Sequence, residues 1–228
     1  MTDGVLVFGA SQRTGLEVTK ILAGRGENVT AFVRPTSDRT ELEELQVDFA
    51  IGDVVDADSV EAAFAAGKFR AVVNTIGGKR GEEPRPDFIG IKNMVDSAKR
   101  HGVKRALLVT MVGTGDSSNV LSENARKFLG PVAELKTQAE DYLMESGLDA
   151  TILRPGGMLS QPATGTAIKT EDHSVMGVIH RADLAALVVE SLDDDATIGK
   201  IFHTVDPEIK EQPGLQRGEV PKPGQEKP

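Results

Sequence analysis

A glycine-spaced loop near the start of the chain constrains its fold more than any other feature. A short apolar run at residues 5–8 ends at Gly9, a small polar loop follows, and Gly15 lies at the start of a helical pattern. A second apolar run at residues 29–33 completes a strand–turn–helix–strand unit of about 30 residues, the length expected of a dinucleotide-binding unit. In such units the first glycine allows a tight turn, and the last lets the helix pack closely on the sheet.

Gln12 departs from the glycine pattern of these loops. In G-x-x-G-x-x-G the middle glycine lets the backbone approach a phosphate, and in this chain Gln12 occupies that position. Its side-chain amide can still donate to a phosphate or ribose oxygen, so we expect a slightly displaced pyrophosphate at the helix N-terminus. A glycine-rich turn that binds nothing is the alternative. The expected contacts of the loop are Gly9, Ser11, Gln12, Arg13, Thr14 and Gly15.

Composition argues against several classes of function. The 228 residues are 39% hydrophobic and 27% charged, as in ordinary globular proteins, and the net charge of -9 opposes nucleic acid or an anionic membrane as the main partner. The absence of cysteine excludes disulfides, and the four histidines lack metal-ligand spacing, so no metal site is expected. No apolar stretch is long enough to span a membrane, and no signal-peptide pattern precedes the first strand. We expect a cytoplasmic protein that is a monomer or a homodimer.

Strand and helix patterns alternate along the rest of the chain. This alternation favours an α/β fold, a Rossmann-type doubly wound parallel sheet in a single domain over residues 3–205 with a small C-terminal substrate-side region. Asp183 is expected to cap the last helix. Further strands are predicted at 47–51, 71–74, 106–109, 150–153 and 200–205, and helices include 60–66 and 133–145. The proline-rich, charged residues 206–228 predict a flexible or arm-like tail.

Arg34, at the end of the second strand, indicates which dinucleotide is preferred. An acidic residue there would bind the ribose 2′-hydroxyl of NAD(H), whereas arginine accommodates the additional phosphate of NADP(H), so NADP(H) is expected to be preferred over NAD(H). Ser37 and Arg39 could complete this phosphate site, although a solvated arginine at a strand end is the alternative. Asp53 could accept from the adenine amine while Val54 packs on the ring; a plain turn aspartate is the other interpretation.

The ends of the later strands are expected to complete the cofactor site, because ligands of open α/β sheets bind at the carboxyl ends of strands. The predicted contacts are Thr75, Ile76, Gly77 and Gly78 after the fourth strand, Thr110, Met111 and Val112 after the fifth, and Pro155, Gly156, Gly157 and Met158 after the sixth.

Several of these motifs together resemble the atypical short-chain dehydrogenase/reductase family. They are Gly9-Ala10-Ser11 with Gly15, Arg34, Gly52-Asp53-Val54, and Thr151-Ile152-Leu153-Arg154-Pro155-Gly156. The most similar groups are the NAD(P)H-binding NmrA-like proteins and the biliverdin reductase B (flavin reductase) group. The resemblance covers about residues 3–205 and extends, for the second group, to Gln161-Pro162-x-x-Gly165 and Val178-Ile179-x-x-x-Asp183-Leu184. It is specific for fold and cofactor, and less so for substrate.

The tyrosine of the family's Tyr-x-x-x-Lys pair is missing. Lys136 stands at the lysine position, but Val132 lies four residues before it, and the single tyrosine, Tyr142, is expected to pack in or near the core. Thr110 stands at the family's serine position, where backbone capping explains it equally well. Thr110 and Lys136 are therefore the candidate catalytic residues, and tyrosine-dependent carbonyl reduction is not expected.

The resemblance to the biliverdin reductase B group implies an NADPH-dependent reductase of a small, flat, conjugated acceptor of the flavin, bilin or quinone type. Orientation and exclusion of water would then matter more than a strong acid. A non-catalytic NADP-binding sensor or scaffold of the NmrA-like kind is the alternative, and isomerase or epimerase chemistry a further one. The loop 79–83, with Lys79 and Arg80 as possible anion contacts, and segment 117–128 are expected to border the substrate.

Overall fold

The computed structural model describes residues 3–79 and 81–209. Strands and helices alternate through this part of the chain, as the sequence pattern predicts. The strands are β1 Gly4–Phe8, β2 Val29–Val33, β3 Asp48–Ile51, β4 Phe69–Asn74, β5 Arg105–Val109, β6 Asp149–Pro155, β7 Gly157–Leu159, β8 Ile168–Thr170, β9 Val178–His180 and β10 Lys200–Val205. The α-helices are α1 Arg13–Gly24, α2 Thr40–Glu44, α3 Ala57–Ala65, α4 Pro86–Arg100, α5 Glu123–Met144 and α6 Arg181–Asp193.

Within residues 3–79 and 81–209, the main sheet has eight strands in the order β3-β2-β1-β4-β5-β6-β10-β8. All neighbours are parallel except β8, which pairs antiparallel with β10. The chain winds outward in one direction from β1 to β3 and in the other from β4 onward, so a topological switch point lies between β1 and β4. This order confirms the Rossmann-type doubly wound α/β fold.

The core lies in two layers, one on each face of the sheet. Side chains alternate along β1, so that Val5 and Val7 pack toward α1 and α6, while Leu6 and Phe8 pack toward α3, α4 and α5. Every residue of β1 is buried, as expected of a central parallel strand covered on both faces. Fully burying one such side chain contributes about 1.5–3 kcal/mol, so the two layers hold the central strands, and the loops after them, in place.

Gly15 allows the close approach of α1 to the sheet. A Cβ on Gly15 would lie 2.1 Å from the carbonyl oxygen of Gly9 and 2.6 Å from Oγ1 of Thr75, so no larger residue fits without moving the helix. Gly9 has a φ of +84° and turns the chain out of β1. The two glycines therefore place the first turn of α1 directly at the end of the strand.

Some element boundaries differ from the predictions. Helix α5 begins at Glu123 rather than at 133, because Ser122 caps it through the N–H of Ala125 (3.2 Å) and the helix continues through Pro131. Helix α3 begins at Ala57, where Asp56 accepts from the N–H of Asp58 (3.1 Å). The short elements α2, β7, β8 and β9 were not predicted, since runs of three to five residues carry little periodic signal.

Asp183 does not cap the last helix. His180 holds the cap position of α6, and Asp183, which is buried, instead accepts from the N–H groups of Thr164 (2.9 Å) and Gly165 (2.8 Å). Asp206, the first residue of the predicted tail, is buried and accepts from Thr164 and from Thr166 (2.9 Å). Residues 210–228 of the predicted tail lie outside the described residues. No helix in the described part of the chain is long and apolar enough to cross a membrane.

Candidate nucleotide-binding cleft and active site

A cleft of about 420 Å³ opens at the carboxyl ends of the central strands, where the strand order reverses. It brings together most of the residues predicted for the cofactor site and both candidate catalytic residues, Thr110 and Lys136. The predicted residues that line it are Gly9, Ser11, Gln12, Arg13, Thr14, Gly15, Arg34, Ser37, Asp53, Val54, Thr75, Ile76, Gly77, Gly78, Thr110, Met111, Lys136 and Met158.

The first turn of α1 faces this cleft with its N–H groups uncapped. Gln12 holds the cap position in extended backbone (φ -160°, ψ 161°), and its side chain makes no capping hydrogen bond. Arg13 follows with a φ of 53°, the left-handed region that glycine prefers. The first turn carries no acidic residue, so the helix offers N–H donors, a positive dipole end and the Arg13 cation to an anion. This arrangement fits a pyrophosphate.

Arg34 and Ser37 line the cleft after β2, but Arg34 already has a partner. Its Nη1 lies 2.9 Å from Oε1 of Glu82, which reaches it from the loop between β4 and α4. Arg39 does not line the cleft, contrary to the prediction. It precedes α2, and its guanidinium lies 5.8 Å above the centre of the Phe49 ring, a cation–π contact.

Asp53 and Val54 follow β3 at the far end of the cleft. One carboxylate oxygen of Asp53 accepts from the N–H of Val55 (3.2 Å), and its main chain exchanges hydrogen bonds with Oγ of Ser59 (2.8 and 3.1 Å). Val54 is buried against α4, where a Cβ on Gly90 would lie 2.8 Å from Cγ1 of Val54. The turn role of Asp53 is therefore present, and an adenine contact would use its remaining oxygen.

Lys136 lies at the floor of the cleft, buried rather than solvated on its helix. Its Nζ donates to the carbonyl of Ile76 (3.3 Å) and lies 3.2 Å from Oδ1 of Asp87. Asp87 is buried too, and its other oxygen accepts from the N–H of Gly78 (3.2 Å) and from Arg85 (2.8 Å). The periodicity of α5 did not predict this burial, since the partners of Lys136 belong to β4 and α4.

Thr110 directly follows β5, and its hydroxyl is already engaged in a hydrogen bond. Oγ1 of Thr110 donates to Oε1 of Glu140 (2.5 Å), a buried carboxylate on α5. Arg154 holds the same carboxylate from β6 through Nε (3.1 Å to Oε1) and Nη2 (2.7 Å to Oε2). Thr114 approaches Oε1 of Glu140 as well, at 2.8 Å. Glu140 thus acts as a charged acceptor at the centre of a buried network that supports the cleft wall.

The network continues to the surface through Asp116 and His173. Nη1 of Arg154 lies 2.6 Å from Oδ1 of Asp116, and Oδ2 of Asp116 lies 2.8 Å from Nδ1 of His173. Burial alone would raise the pKa of Asp116, but the hydrogen bonds from Arg154 and then His173 outweigh it and lower the pKa to about 2. Burial would lower the pKa of His173, yet its bonds to the carbonyl of Ile201 and to Asp116 raise it above its ordinary value.

Tyr142 lies away from the cleft. Its hydroxyl donates to Oδ1 of Asp96 (2.6 Å), and its ring meets the edge of Phe88 at a centroid distance of 6.1 Å. Both contacts are with α4, so they join two helices on one face of the sheet. This position agrees with the half-buried packing role expected from the sequence.

Four predicted cofactor residues also lie outside the cleft lining: Val112, Pro155, Gly156 and Gly157. They join β6 to its surroundings instead, because the N–H of Val112 donates to the carbonyl of Pro155 (2.9 Å), and that of Gly157 to the carbonyl of Gly177 (2.9 Å). A Cβ on Gly156 would lie 2.1 Å from the Gly177 oxygen, so close backbone packing explains this glycine.

Of the two segments predicted to border the substrate, one contributes to the cleft lining and the other does not. Glu82, from the predicted loop 79–83, lines the cleft, while Arg80 lies outside the described residues. All of segment 117–128 is described, and none of it lines the cleft. Glu83, from the same predicted loop as Glu82, lines the cleft as well, and the lining residues that sequence reasoning did not place in the site are Phe32, Val33, Val55, Pro84, Pro86, Val109 and Arg181. Most adjoin predicted strand ends and could have been found there; Arg181 carries no such signal.

Comparisons with known proteins agree with this geometry. The model of the NAD(P)H-binding family matches residues 9–195. The structure of ChuY, an anaerobilin reductase from Escherichia coli O157:H7, superposes with a TM-score of 0.83 at 32% identity, covering 92% of this chain and 100% of ChuY. A putative NAD-dependent epimerase/dehydratase from Bacillus halodurans superposes with a TM-score of 0.76 at 28% identity, covering 90% and 94% of the two chains. Sanguinarine reductase from Eschscholzia californica is 28% identical over 241 residues, which cover 87% of each chain.

The family match spans the first glycine of the loop, the strand ends that form the cleft and the helix that follows β9. It confirms the resemblance to the atypical short-chain dehydrogenase/reductases. Within the described residues no cluster of three or more His, Asp or Glu side chains could hold a metal ion. The chain belongs to the NAD(P)H-binding family of Rossmann-fold oxidoreductases.

Proposed function

We propose that this protein reduces small, flat, conjugated acceptors of the flavin, bilin or quinone type, with NADPH preferred over NADH. The observation that carries the proposal is the hydrogen bond from Thr110 to Glu140, because it engages the proton of the hydroxyl that stands at the family's serine position. When bound, the nicotinamide cofactor supplies the hydride. The residues of this chain bind, orient and shield the reactants.

The polar groups of the cleft match the parts of a dinucleotide phosphate. The uncapped turn of α1 and the Arg13 cation suit the pyrophosphate, and Val54 offers an apolar surface for the adenine ring. Arg34 and Ser37 suit the 2′-phosphate, for which Glu82 would have to release Arg34. Lys136, held by Ile76 and Asp87, would donate to a ribose hydroxyl at the floor of the cleft.

The acid–base chemistry of the cleft restricts the acceptor. A threonine hydroxyl has one proton, and the proton of Thr110 is donated to a carboxylate that Arg154 keeps as an acceptor. Tyr142, the single tyrosine, lies on the α4 side of α5, away from the cleft lining. A simple ketone needs a proton as its oxygen becomes negative, whereas a conjugated acceptor delocalises the added electron pair and can take its proton from water. The site therefore favours conjugated acceptors.

The hydroxyl oxygen of Thr110 can still accept a hydrogen bond from a molecule in the cleft. Because its proton is engaged by Glu140, the hydroxyl can only accept, and it would orient an N–H of the bound cofactor or acceptor. The names of two relatives, anaerobilin reductase and sanguinarine reductase, support reduction as the reaction. Carrying the acceptor class over to this chain is part of the proposal.

The test is NADPH oxidation by the purified protein with FMN, biliverdin, a quinone and a simple ketone as acceptors. We expect turnover with at least one conjugated acceptor and background rates with the ketone. Thr110→Val keeps the shape and removes the hydroxyl, and it should lower kcat with the conjugated acceptor by less than about tenfold, below the 10²-fold or more expected of a general acid. Efficient ketone reduction, or a larger loss in Thr110→Val, would contradict the mechanism. NADPH binding with no turnover across the panel would indicate the non-catalytic alternative.

A further inference from the structure

A second cavity of about 290 Å³, here called the side cleft, opens next to the cofactor cleft. It lies between the start of α1 and the segment around Gln161 that follows β7. Arg13 and Arg181 are the two residues that line both cavities. These two arginines therefore lie at the boundary between the cofactor cleft and the side cleft.

Arg13 and Arg181 are the first residues of α1 and α6, two helices that pack side by side on one face of the sheet. Nη1 of Arg181 donates to the carbonyl of Met158 (3.1 Å) and to Oγ of Ser160 (2.9 Å), which anchors its guanidinium at the boundary of the two cavities. Burial, and then the charge of Arg13, lower the pKa of Arg181. Two cations thus lie close enough to repel each other.

No carboxylate compensates this pair within the described residues. Glu17 lines the side cleft, but its carboxylate pairs with Lys20 (3.3 Å). Arg13 forms no ion pair with any described residue, and Arg181 uses Nη1 alone among its nitrogens. Arg154, by comparison, pairs with both Glu140 and Asp116.

Arg105 shows how an arginine of this fold is satisfied when its role is structural. Nε, Nη1 and Nη2 of Arg105 donate to the main-chain carbonyls of Leu192, Asp149 (2.7 Å) and Ser191. The donors that remain on Arg181 and Arg13, in contrast, have no partner among the described residues, and both side chains line the two cavities. Guanidinium groups placed in this way bind planar anions well, because two N–H groups can meet the two oxygens of a carboxylate.

We propose that Arg181 binds an acidic side group of the acceptor at the boundary beside Arg13, so that the preferred substrate is a conjugated ring system that carries a carboxylate. The ring would lie in the cofactor cleft and its acidic arm would reach the boundary with the side cleft. This inference rests on the proposed function for its ring system. A cofactor phosphate has similar chemistry, and the experiment separates the two sources.

The experiment measures equilibrium binding rather than turnover. Two pairs of probes are titrated into the full-length protein saturated with NADP⁺: biliverdin with its dimethyl ester, and anthraquinone-2-carboxylate with its methyl ester. We expect each acid to bind more tightly than its ester, and Arg181→Gln to reduce this preference about tenfold while the affinity for the esters and for NADPH stays within about twofold. Arg25→Gln is the matched control, because Arg25 pairs with Asp193 (3.1 Å) on the surface at the other end of α1, and it should leave all values unchanged.

Two results would overturn the proposal. If neither acid binds more tightly than its ester, including the case in which neither binds, the arginines do not recognise an acidic acceptor. If Arg181→Gln weakens NADPH binding and leaves the acid preference intact, Arg181 belongs to the cofactor phosphate. An acid preference that Arg181→Gln removes, in a protein that oxidises no NADPH, would keep this site and reject the reductase mechanism, so the two proposals fail separately.

Discussion

The guanidinium of Arg34 and the carboxylate of Glu82 form an ion pair of 2.9 Å within the lining of the cofactor cleft. The other oxygen of Glu82 accepts from the N–H of Lys79 (2.6 Å), so the loop between β4 and α4 presents this carboxylate to Arg34. Both side chains are partly exposed, at 41% and 26%, and pairs of this kind contribute about 0.2–1 kcal/mol. A phosphate with two charges can therefore displace Glu82.

Arg34 should determine the preference for NADPH. A charge-assisted contact contributes roughly 1.5–3 kcal/mol, so NADPH is expected to bind about ten to a hundred times more tightly than NADH. Arg34→Asp removes the cation and adds a carboxylate for the ribose hydroxyls, and it should reverse the preference. Calorimetric titration of both cofactors measures this. Equal dissociation constants for NADPH and NADH in the unaltered protein would contradict the assignment.

Glu82 should oppose the binding of NADPH. Glu82→Gln frees Arg34 and removes a negative charge from beside the phosphate site, so the affinity for NADPH should rise by up to about fivefold, the upper end of what an exposed ion pair contributes. The affinity for NADH should not change. Glu83→Gln is the control, since Glu83 lines the same cleft and forms no ion pair with a described residue. A gain for NADH as large as that for NADPH would show a general charge effect instead.

Tyr142 should be dispensable for turnover. Tyr142→Phe keeps the ring against Phe88 and removes only the hydroxyl bonded to Asp96. We expect kcat to fall by less than about threefold, compared with the 10²-fold or more expected on loss of a general acid. The thermal midpoint should decrease slightly, because one hydrogen bond between α4 and α5 is lost. A loss of activity of 10²-fold, with the fold intact by circular dichroism, would assign catalysis to Tyr142.

His173 should stabilise the protein at acidic and neutral pH. Since its pKa is raised in the folded state, its contribution is fully present below the unfolded value of 6.5 and is lost as the pH rises through the raised value. Burial lowers the pKa of His203, which stacks on His173, so its shift is opposite in direction to that of His173. His173→Gln should therefore reduce the free energy of unfolding more at about pH 5.5 than at about pH 8.5. Chemical denaturation at the two pH values measures the difference, and an equal loss at both would contradict the charged pair with Asp116.

Asp116 also contributes a pH-dependent stabilisation, but at lower pH than His173. With a pKa lowered to about 2, its contribution is present above its ordinary value of 3.8 and is lost as the pH falls toward 2. The side chain of Asp116 is 65% exposed, so solvent screening keeps the contribution below about 1 kcal/mol. The pH window that isolates His173 therefore lies above this range.

Local features of the sequence were sufficient to predict the fold and the strand ends that line the central cleft. Gly9 and Gly15, with the apolar runs on either side, specify a turn and a close helix contact that involve neighbouring residues of the chain. The carboxyl ends of parallel strands must meet at one edge of the sheet, so Thr75 and Thr110 could be assigned to the cleft once the strands were recognised. Such inferences depend on backbone preferences and periodicity, which are set within a few residues.

The chemistry of the site depends on contacts between distant elements, which only the tertiary structure decides. Arg34 meets Glu82, Thr110 meets Glu140, and Lys136 meets Asp87, each across a gap of many residues. Asp183 shows the same effect. Its position near the start of a helix predicts a cap, but its carboxylate accepts instead from the N–H groups of Thr164 and Gly165, in a loop distant along the chain. A side chain's spacing along the chain indicates its secondary structure, but its charge partners follow from the order of the strands and the packing of the helices. For this reason the cofactor class and the missing family tyrosine were evident from the sequence, whereas the hydrogen bond from Thr110 to Glu140 and the arginine pair at the side cleft were not.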